Sequence, residues 1–152
     1  MMPIRLFLPD ETAAAAVGSK LAPLLETGDV VLLEGPLGAG KTTLARGLII
    51  AFCGALEVPS PTFTLVETYE GAAGTLWHFD LYRLEKREDV WELGLEEALD
   101  NGVALIEWPD RIDGLIPTGA LRLKLFIQEG GRRLEIEAPP RWLHRLSEAG
   151  IS

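Results

Sequence analysis

The chain is poor in several residue types, and each shortage narrows its class. Cys53 is the single cysteine in 152 residues, so no internal disulfide can form. Its place in the apolar stretch 48–53 points to a buried structural thiol. Basic residues are in deficit, with 14 lysines and arginines against 23 acidic residues for a formal charge of −9. That excludes a basic stripe able to hold a nucleic-acid backbone by counterion release, so any nucleic acid in this protein's work would be held by a partner. An acidic balance also serves solubility alone. No apolar run approaches the ~20 residues needed to cross a bilayer. Met1-Met2-Pro3-Ile4-Arg5 lacks the apolar core of a cleavable leader, which makes the cytoplasm the expected compartment and a membrane role unexpected. Repeats, linkers and low-complexity segments are missing too.

What is present suffices for one hydrophobic core. With 47% hydrophobic residues at this length, a single domain spanning 1–152 is expected. Ile4 to Leu8 alternates weakly before Pro9 and predicts a short strand, with Asp10 as N-cap of a helix over Ala13 to Leu25. After Thr27-Gly28-Asp29, the continuous apolar run Val30 to Leu33 predicts a strand buried on both faces. A helix over Thr42 to Phe52 follows, closed near Gly54. Phe63 to Tyr69 and Thr75 to Asp80 flank Gly71-Ala72-Ala73-Gly74, a β-hairpin pattern. Glu85 to Asp89 is a charged turn or helix start, and Trp91 to Leu99 has helical spacing. Val103 to Ile106 is a second short apolar strand ending on Glu107, expected to lie parallel to the Val30 strand. Leu121 to Leu125 and Leu134 to Glu137 alternate strictly and predict a half-exposed second hairpin. The fold class expected is α/β, a mixed sheet with parallel core strands, antiparallel hairpins and helices packed on it; Gly35 to Thr42, G-x-x-x-x-G-K-T between the Val30 strand and the Thr42 helix, makes it a P-loop NTPase-like domain.

One string carries chemistry directly. Gly35, Pro36, Leu37, Gly38, Ala39, Gly40, Lys41 and Thr42 fit G-x-x-x-x-G-K-[ST] and lie between an apolar strand and a helix, where a phosphate-binding loop must lie. Such a loop turns several backbone N–H groups inward at phosphate oxygens, and the following helix adds its positive end. Lys41 would reach the β- and γ-phosphates of ATP, and the Thr42 hydroxyl would ligate Mg²⁺. Glu107, at the end of its strand, stands where a second acidic group approaches the metal, holding Mg²⁺ through water or polarising the attacking water.

Around Asp80, the two-residue strand period sets Trp77, Phe79 and Leu81 on one side and His78, Asp80 and Tyr82 on the other. The first set reads as core. The second suits positioning of water or metal, although a solvated polar face would look the same. His144 reads as a surface residue of a C-terminal helix. Arg83 and the pair Arg132-Arg133 are the basic candidates for touching a transferring phosphoryl group.

Taken together, Gly35 to Thr43, Ser60-Pro61-Thr62-Phe63, His78-Phe79-Asp80-Leu81-Tyr82-Arg83 and Ile106-Glu107-Trp108-Pro109-Asp110-Arg111 resemble the TsaE (YjeE) family. The last two strings are far more specific than the phosphate loop, and the match covers most of the chain. The resemblance implies the ATPase component of the bacterial machinery that makes N6-threonylcarbamoyladenosine next to the anticodon of certain tRNAs. It implies catalytic roles for Lys41, Asp80 and Glu107, metal ligation at Thr42 and Glu107, and nucleotide contacts along Gly35 to Thr43 and at Trp108. Arg132, and the segment from Leu8 to Thr12, are candidates for further nucleotide contacts. Ser60 to Phe63 resembles a switch-like segment. The implied partners are a threonylcarbamoyl-transferring protein and its paralogous scaffold, which contact tRNA for the ATPase, so that an acidic chain needs no tRNA surface. Hydrolysis is then expected to be slow alone and to reset that complex between turnovers.

Two other readings compete. A small-molecule kinase would need an acceptor pocket and an arginine-bearing lid. A GTP-dependent switch would need a guanine-reading Asn/Thr-Lys-x-Asp string, which the sequence lacks.

Overall fold

A computed structural model describes residues 3–54 and 65–151. Seven strands, β1 Ile4–Leu8, β2 Val30–Glu34, β3 Val66–Gly71, β4 Gly74–Asp80, β5 Val103–Glu107, β6 Leu121–Gln128 and β7 Gly131–Glu137, form one sheet in the order β1-β7-β6-β2-β5-β4-β3. The helices are α1 Glu11–Leu21, α2 Lys41–Cys53, α3 Leu95–Asn101 and α4 Pro140–Glu148. β2 runs parallel to β5 on one side and to β6 on the other, and β4 runs parallel to β5. The two hairpins β3–β4 and β6–β7, with β1 against β7, are antiparallel. The mixed sheet with a parallel core is as expected; each predicted hairpin contributes one strand to that core.

The continuous apolar run of β2 is explained by its place: it has strand neighbours on both edges and cover on both faces. Val31 and Leu33 pack with α1, α2 and α4 through Leu21, Leu44, Leu48 and Trp142. Val30 and Leu32 pack on the other face with Phe79, Ile106 and α3 through Leu95 and Ala98.

α1 and α2 lie side by side against the first face. A Cβ on Gly18 would run into the Leu44 carbonyl, and one on Gly47 into the Ala15 carbonyl, so the backbones of the two helices meet with nothing between them. That contact fixes α2, and with it the loop that precedes it.

Three expectations need correction. The first helix ends at Leu21 and continues only as a 3₁₀ turn over Ala22–Leu24, because Pro23 brings no N–H to an α ladder. The helix expected over Trp91 to Leu99 is instead a 3₁₀ turn Arg87–Trp91 followed by α3, separated by Gly94 in the left-handed region at φ 97°, where a helix cannot continue. Cys53 is half-buried at the edge of the first core cluster. As expected, Asp10 caps α1 by accepting from the Ala13 N–H at 2.9 Å, and Gly54 closes α2 in the left-handed conformation. Ser60 to Phe63, and the start of the first hairpin at Phe63 and Thr64, lie outside the described residues.

Candidate active site

Three parallel strands deliver their chemistry at the same edge of the sheet. β2 runs into the glycine-rich loop and α2 begins at Lys41, while Asp80 ends β4 and Glu107 ends β5 directly opposite it in register. Carboxyl ends of parallel strands are where an α/β sheet opens a crevice. Here the crevice encloses about 280 Å³, with Lys41, Thr42, Asp80, Tyr82, Glu107 and Trp108 among its walls together with Pro36, Leu37, Gly38 and Gly40 of the loop. Thr43 and Glu11 reach the same space. A second hollow of about 200 Å³ adjoins it through Gly38, Gly40 and Thr43, and is bounded by Leu8, Ala14, Ala39 and Arg132. Gly35 contributes differently, through its carbonyl.

Lys41 is folded back onto its own loop. Its ammonium donates to the carbonyls of Gly35 and, at 3.3 Å, Pro36, and sits 3.7 Å from the centre of the Trp108 ring. Burial lowers its pKa, and the carboxylates of Glu107, Asp80 and Asp110 offset part of that effect. The cation is thus held by carbonyls and an aromatic face.

Asp80 shows the opposite pressure. Burial raises its pKa and the charge of Glu107 adds to the rise, against the Tyr82 N–H, His78 and Lys41, which favour the carboxylate. Asp80 and Glu107 end adjacent strands, and the Lys41 ammonium is within electrostatic reach of both.

Trp108 is the only non-glycine residue with positive φ among the described residues, at φ 60°, immediately before Pro109. The residue before a proline avoids helical backbone, and a bulky residue in the left-handed region costs about 1–3 kcal/mol. The conformation is held by the Trp108 N–H donating to Leu33 and by its carbonyl accepting from Arg111, with Tyr82 at 5.0 Å between ring centres. Its result is to lay the indole over Lys41.

Of the arginines, Arg132 comes to the loop, donating to the Gly38 carbonyl at 3.1 Å. Arg133 turns away to Glu135 at 3.0 Å and the Phe126 ring. Arg83 is exposed and is not among the residues that line either hollow. His144 is on the surface beside Glu148, as expected. The alternation in β4 holds, with Trp77 stacked on Phe79 on the core side. The polar side is not a solvated face, however: His78 is 4% exposed and shares a 2.7 Å hydrogen bond with Glu107, itself 3% exposed. Sequence gave no sign of this pair; the signal available was that a strand lying between two others in an α/β sheet is covered on both faces.

Among the described residues, no group of three or more His, Cys, Asp or Glu side chains could hold a metal ion unaided. The oxygens of Thr42 and Glu107, both lining the cleft, are of the kind that suit an ion taking its remaining ligands from phosphate and water, as Mg²⁺ does.

A strand, a glycine-rich loop closing on Lys41 and Thr42, and a helix, set at the carboxyl ends of the parallel core strands, define the P-loop class of nucleotide-binding proteins. The chain matches the family described as threonylcarbamoyl adenosine biosynthesis protein TsaE over residues 8–134, and it belongs to the TsaE family. It is 41% identical to the tRNA threonylcarbamoyladenosine biosynthesis protein TsaE of Rickettsia felis, across 85% of this chain and 76% of that protein. It is 36% identical to the protein of the same name from Haemophilus influenzae, across 87% of each. The crystal structure of Bacillus subtilis YdiB superposes with a TM-score of 0.81 at 26% identity, covering 99% of this chain and 96% of that one.

Proposed function

We propose that this chain binds and hydrolyses Mg-ATP in the cleft at the end of β2, β4 and β5, and that it does so as the ATPase component of tRNA threonylcarbamoyladenosine synthesis. The observation that carries the reading is the convergence of Lys41, Thr42, Asp80 and Glu107 on one crevice from three separate stretches of sequence. The names of its relatives support the pathway.

In this reading Lys41 leaves the Gly35 and Pro36 carbonyls for the β- and γ-phosphates, and the loop N–H groups surround those phosphates. Thr42 and Glu107 would hold Mg²⁺, which would supply charge neutralisation to the phosphates. Asp80, its proton affinity raised by burial, accepts from the attacking water and orients it in line. The adjoining hollow between Leu8, Ala14 and Arg132 takes the nucleoside, with Arg132 tying the hairpin to the loop. Trp108, which lines the cleft beside Lys41, flanks the nucleotide. The acidic chain leaves tRNA to a threonylcarbamoyl-transferring protein and its paralogous scaffold, on which ATP turnover acts, in the cytoplasm. Among the described residues no helix is long and apolar enough to cross a membrane.

The test is steady-state ATP hydrolysis with Mg²⁺, by the chain alone and then with the transferase pair and tRNA. Stimulation by the partners that disappears in Lys41→Ala is expected. Turnover that is fast without partners, or partners without effect, would defeat the assignment.

A further inference from the structure

His78 is a costly residue where it stands. It lies in β4, buried to 4% exposure, between Trp77 and Phe79, and its Nδ1 is buried with no hydrogen-bond partner among the described residues. A leucine would fill the position without an orphaned nitrogen, as Leu76 does two residues earlier on the same face. The contact that distinguishes imidazole from leucine here is the 2.7 Å hydrogen bond between Nε2 and Oε2 of Glu107.

The geometry selects one tautomer. With the proton on Nε2, the ring donates to the carboxylate and leaves only a lone pair unmatched at Nδ1. With the proton on Nδ1, a lone pair would face a carboxylate oxygen at 2.7 Å and an N–H would be buried with no acceptor among the described residues, the more expensive error.

Glu107 needs such a fixed donor. Its carboxylate is 3% exposed, lies beside Asp80 across the strand pair, and has the Lys41 ammonium within electrostatic reach. Left unrestrained, it is pushed by one and drawn by the other. With Oε2 committed to His78, rotation of the carboxylate is stopped and the group is presented at the cleft wall in one orientation.

We propose that His78 is a positioning residue that holds the Glu107 carboxylate, through an Nε2–H···Oε2 bond, in the orientation that receives the magnesium ion of the nucleotide complex. This rests on the Mg-ATP reading above. It adds a residue that touches neither nucleotide nor metal, and a specific tautomer for it.

The test uses the full chain and two variants. His78→Leu keeps the volume and removes the donor; His78→Gln returns an N–H near the position of Nε2. Both are first shown to be folded by thermal unfolding. Nucleotide affinity is then measured by titration calorimetry with Mg²⁺ and with EDTA. His78→Leu should bind ATP in EDTA as the parent chain does, and should need about 10- to 100-fold more Mg²⁺ to reach its full affinity. His78→Gln should recover most of that loss. A folded His78→Leu with the parent's Mg²⁺ requirement overturns the proposal. So does a loss that is equal with Mg²⁺ and with EDTA, because that marks general damage.

A second measurement needs neither a variant nor a nucleotide. The ¹⁵N imidazole spectrum of the free chain should show His78 protonated on Nε2 and bare on Nδ1, with the Nε2 signal displaced in Glu107→Gln. The reverse tautomer overturns the inference even if His78→Leu does not fold. If the parent chain binds no nucleotide while the spectrum shows the Nε2–H tautomer, it is the Mg-ATP reading that has failed and the pairing that stands.

Discussion

The two halves of the sheet differ in what covers them. β2, β5 and β4 are buried on both faces, and His78, Glu107 and Lys41 are three of the four buried polar or charged residues among those described. The wing of β6, β7 and β1 is buried only on the side of α1, α2 and α4. The second core cluster takes no member from these three strands. Its other side carries a ladder of paired charges, Arg5–Glu135–Arg133 and Lys124–Glu137–Arg122–Glu34. The parallel half thus gathers three of those four at the cleft, while the fourth, Asp29 just before β2, is paired with Arg145 at 2.7 Å. The wing uses charge to face water and confers little on the site beyond Arg132. Electrostatic effects should accordingly be large in the first half and small in the second, since a dry environment magnifies what water screens.

The largest effects should come from the strand ends. Asp80→Ala should reduce ATP turnover about 100- to 10,000-fold while nucleotide affinity stays within a few-fold, if the carboxylate orients water. Parallel losses in both, seen by calorimetry and a phosphate-release assay, would place Asp80 in binding instead. Lys41→Ala removes a charge that no neighbour replaces and should weaken nucleotide binding by about 100-fold, equivalent to about 3 kcal/mol. A much smaller loss would mean that the backbone amides and helix end carry the phosphates without it.

Packing changes should follow the same division. Phe79→Ala in the doubly covered half, where the ring is fully buried and stacked on Trp77, should cost about 3–5 kcal/mol in denaturant unfolding. A cost near 1 kcal/mol would show that α3 can collapse onto the space. Gly47→Ala, at the contact of α1 and α2, gains about 1 kcal/mol of helix propensity. It forces a methyl into the Ala15 backbone, and overpacking of this kind costs about 1–3 kcal/mol. Net destabilisation of about 1 kcal/mol is expected, with weakened nucleotide binding as the loop shifts with α2.

The same division explains what could be read from sequence. Strands covered on both faces leave continuous apolar runs, so β2 and β5 were evident, and with them the loop and Glu107 that follow directly in the chain. The strict alternation of Leu121 to Leu125 gave β6 and its covered face. Partners distant in sequence were not legible. The bond between His78 and Glu107 depends on β4 and β5 being neighbours, and strand order is set by long-range packing that no local pattern encodes. The backbone of Trp108 is hidden for a related reason: the Leu33 and Arg111 contacts, the ring of Tyr82 and the ammonium of Lys41 overrule the local preference of a residue before proline. Within the helical spacing from Trp91 to Leu99, Gly94 is the local signal that the sequence reading leaves unused: it stands left-handed at φ 97° and splits the segment.

The smallest effect is the most direct check on the wing. Lys124 and Glu137 approach to 3.1 Å with side chains 35% and 46% exposed, and Arg122 reaches the same carboxylate at 4.0 Å. Exposed pairs of this kind contribute about 0–1 kcal/mol, because water screens the attraction and two long side chains lose freedom in making it. A double-mutant cycle of Lys124→Ala and Glu137→Ala should therefore give a coupling of about 0.5 kcal/mol or less, shrinking as salt is raised toward 1 M, where the screening length falls to about 3 Å. A coupling several times larger that persists in salt would mean that this face is desolvated in solution. The contrast between the halves would then be between a surface covered by the chain itself and one covered by something else.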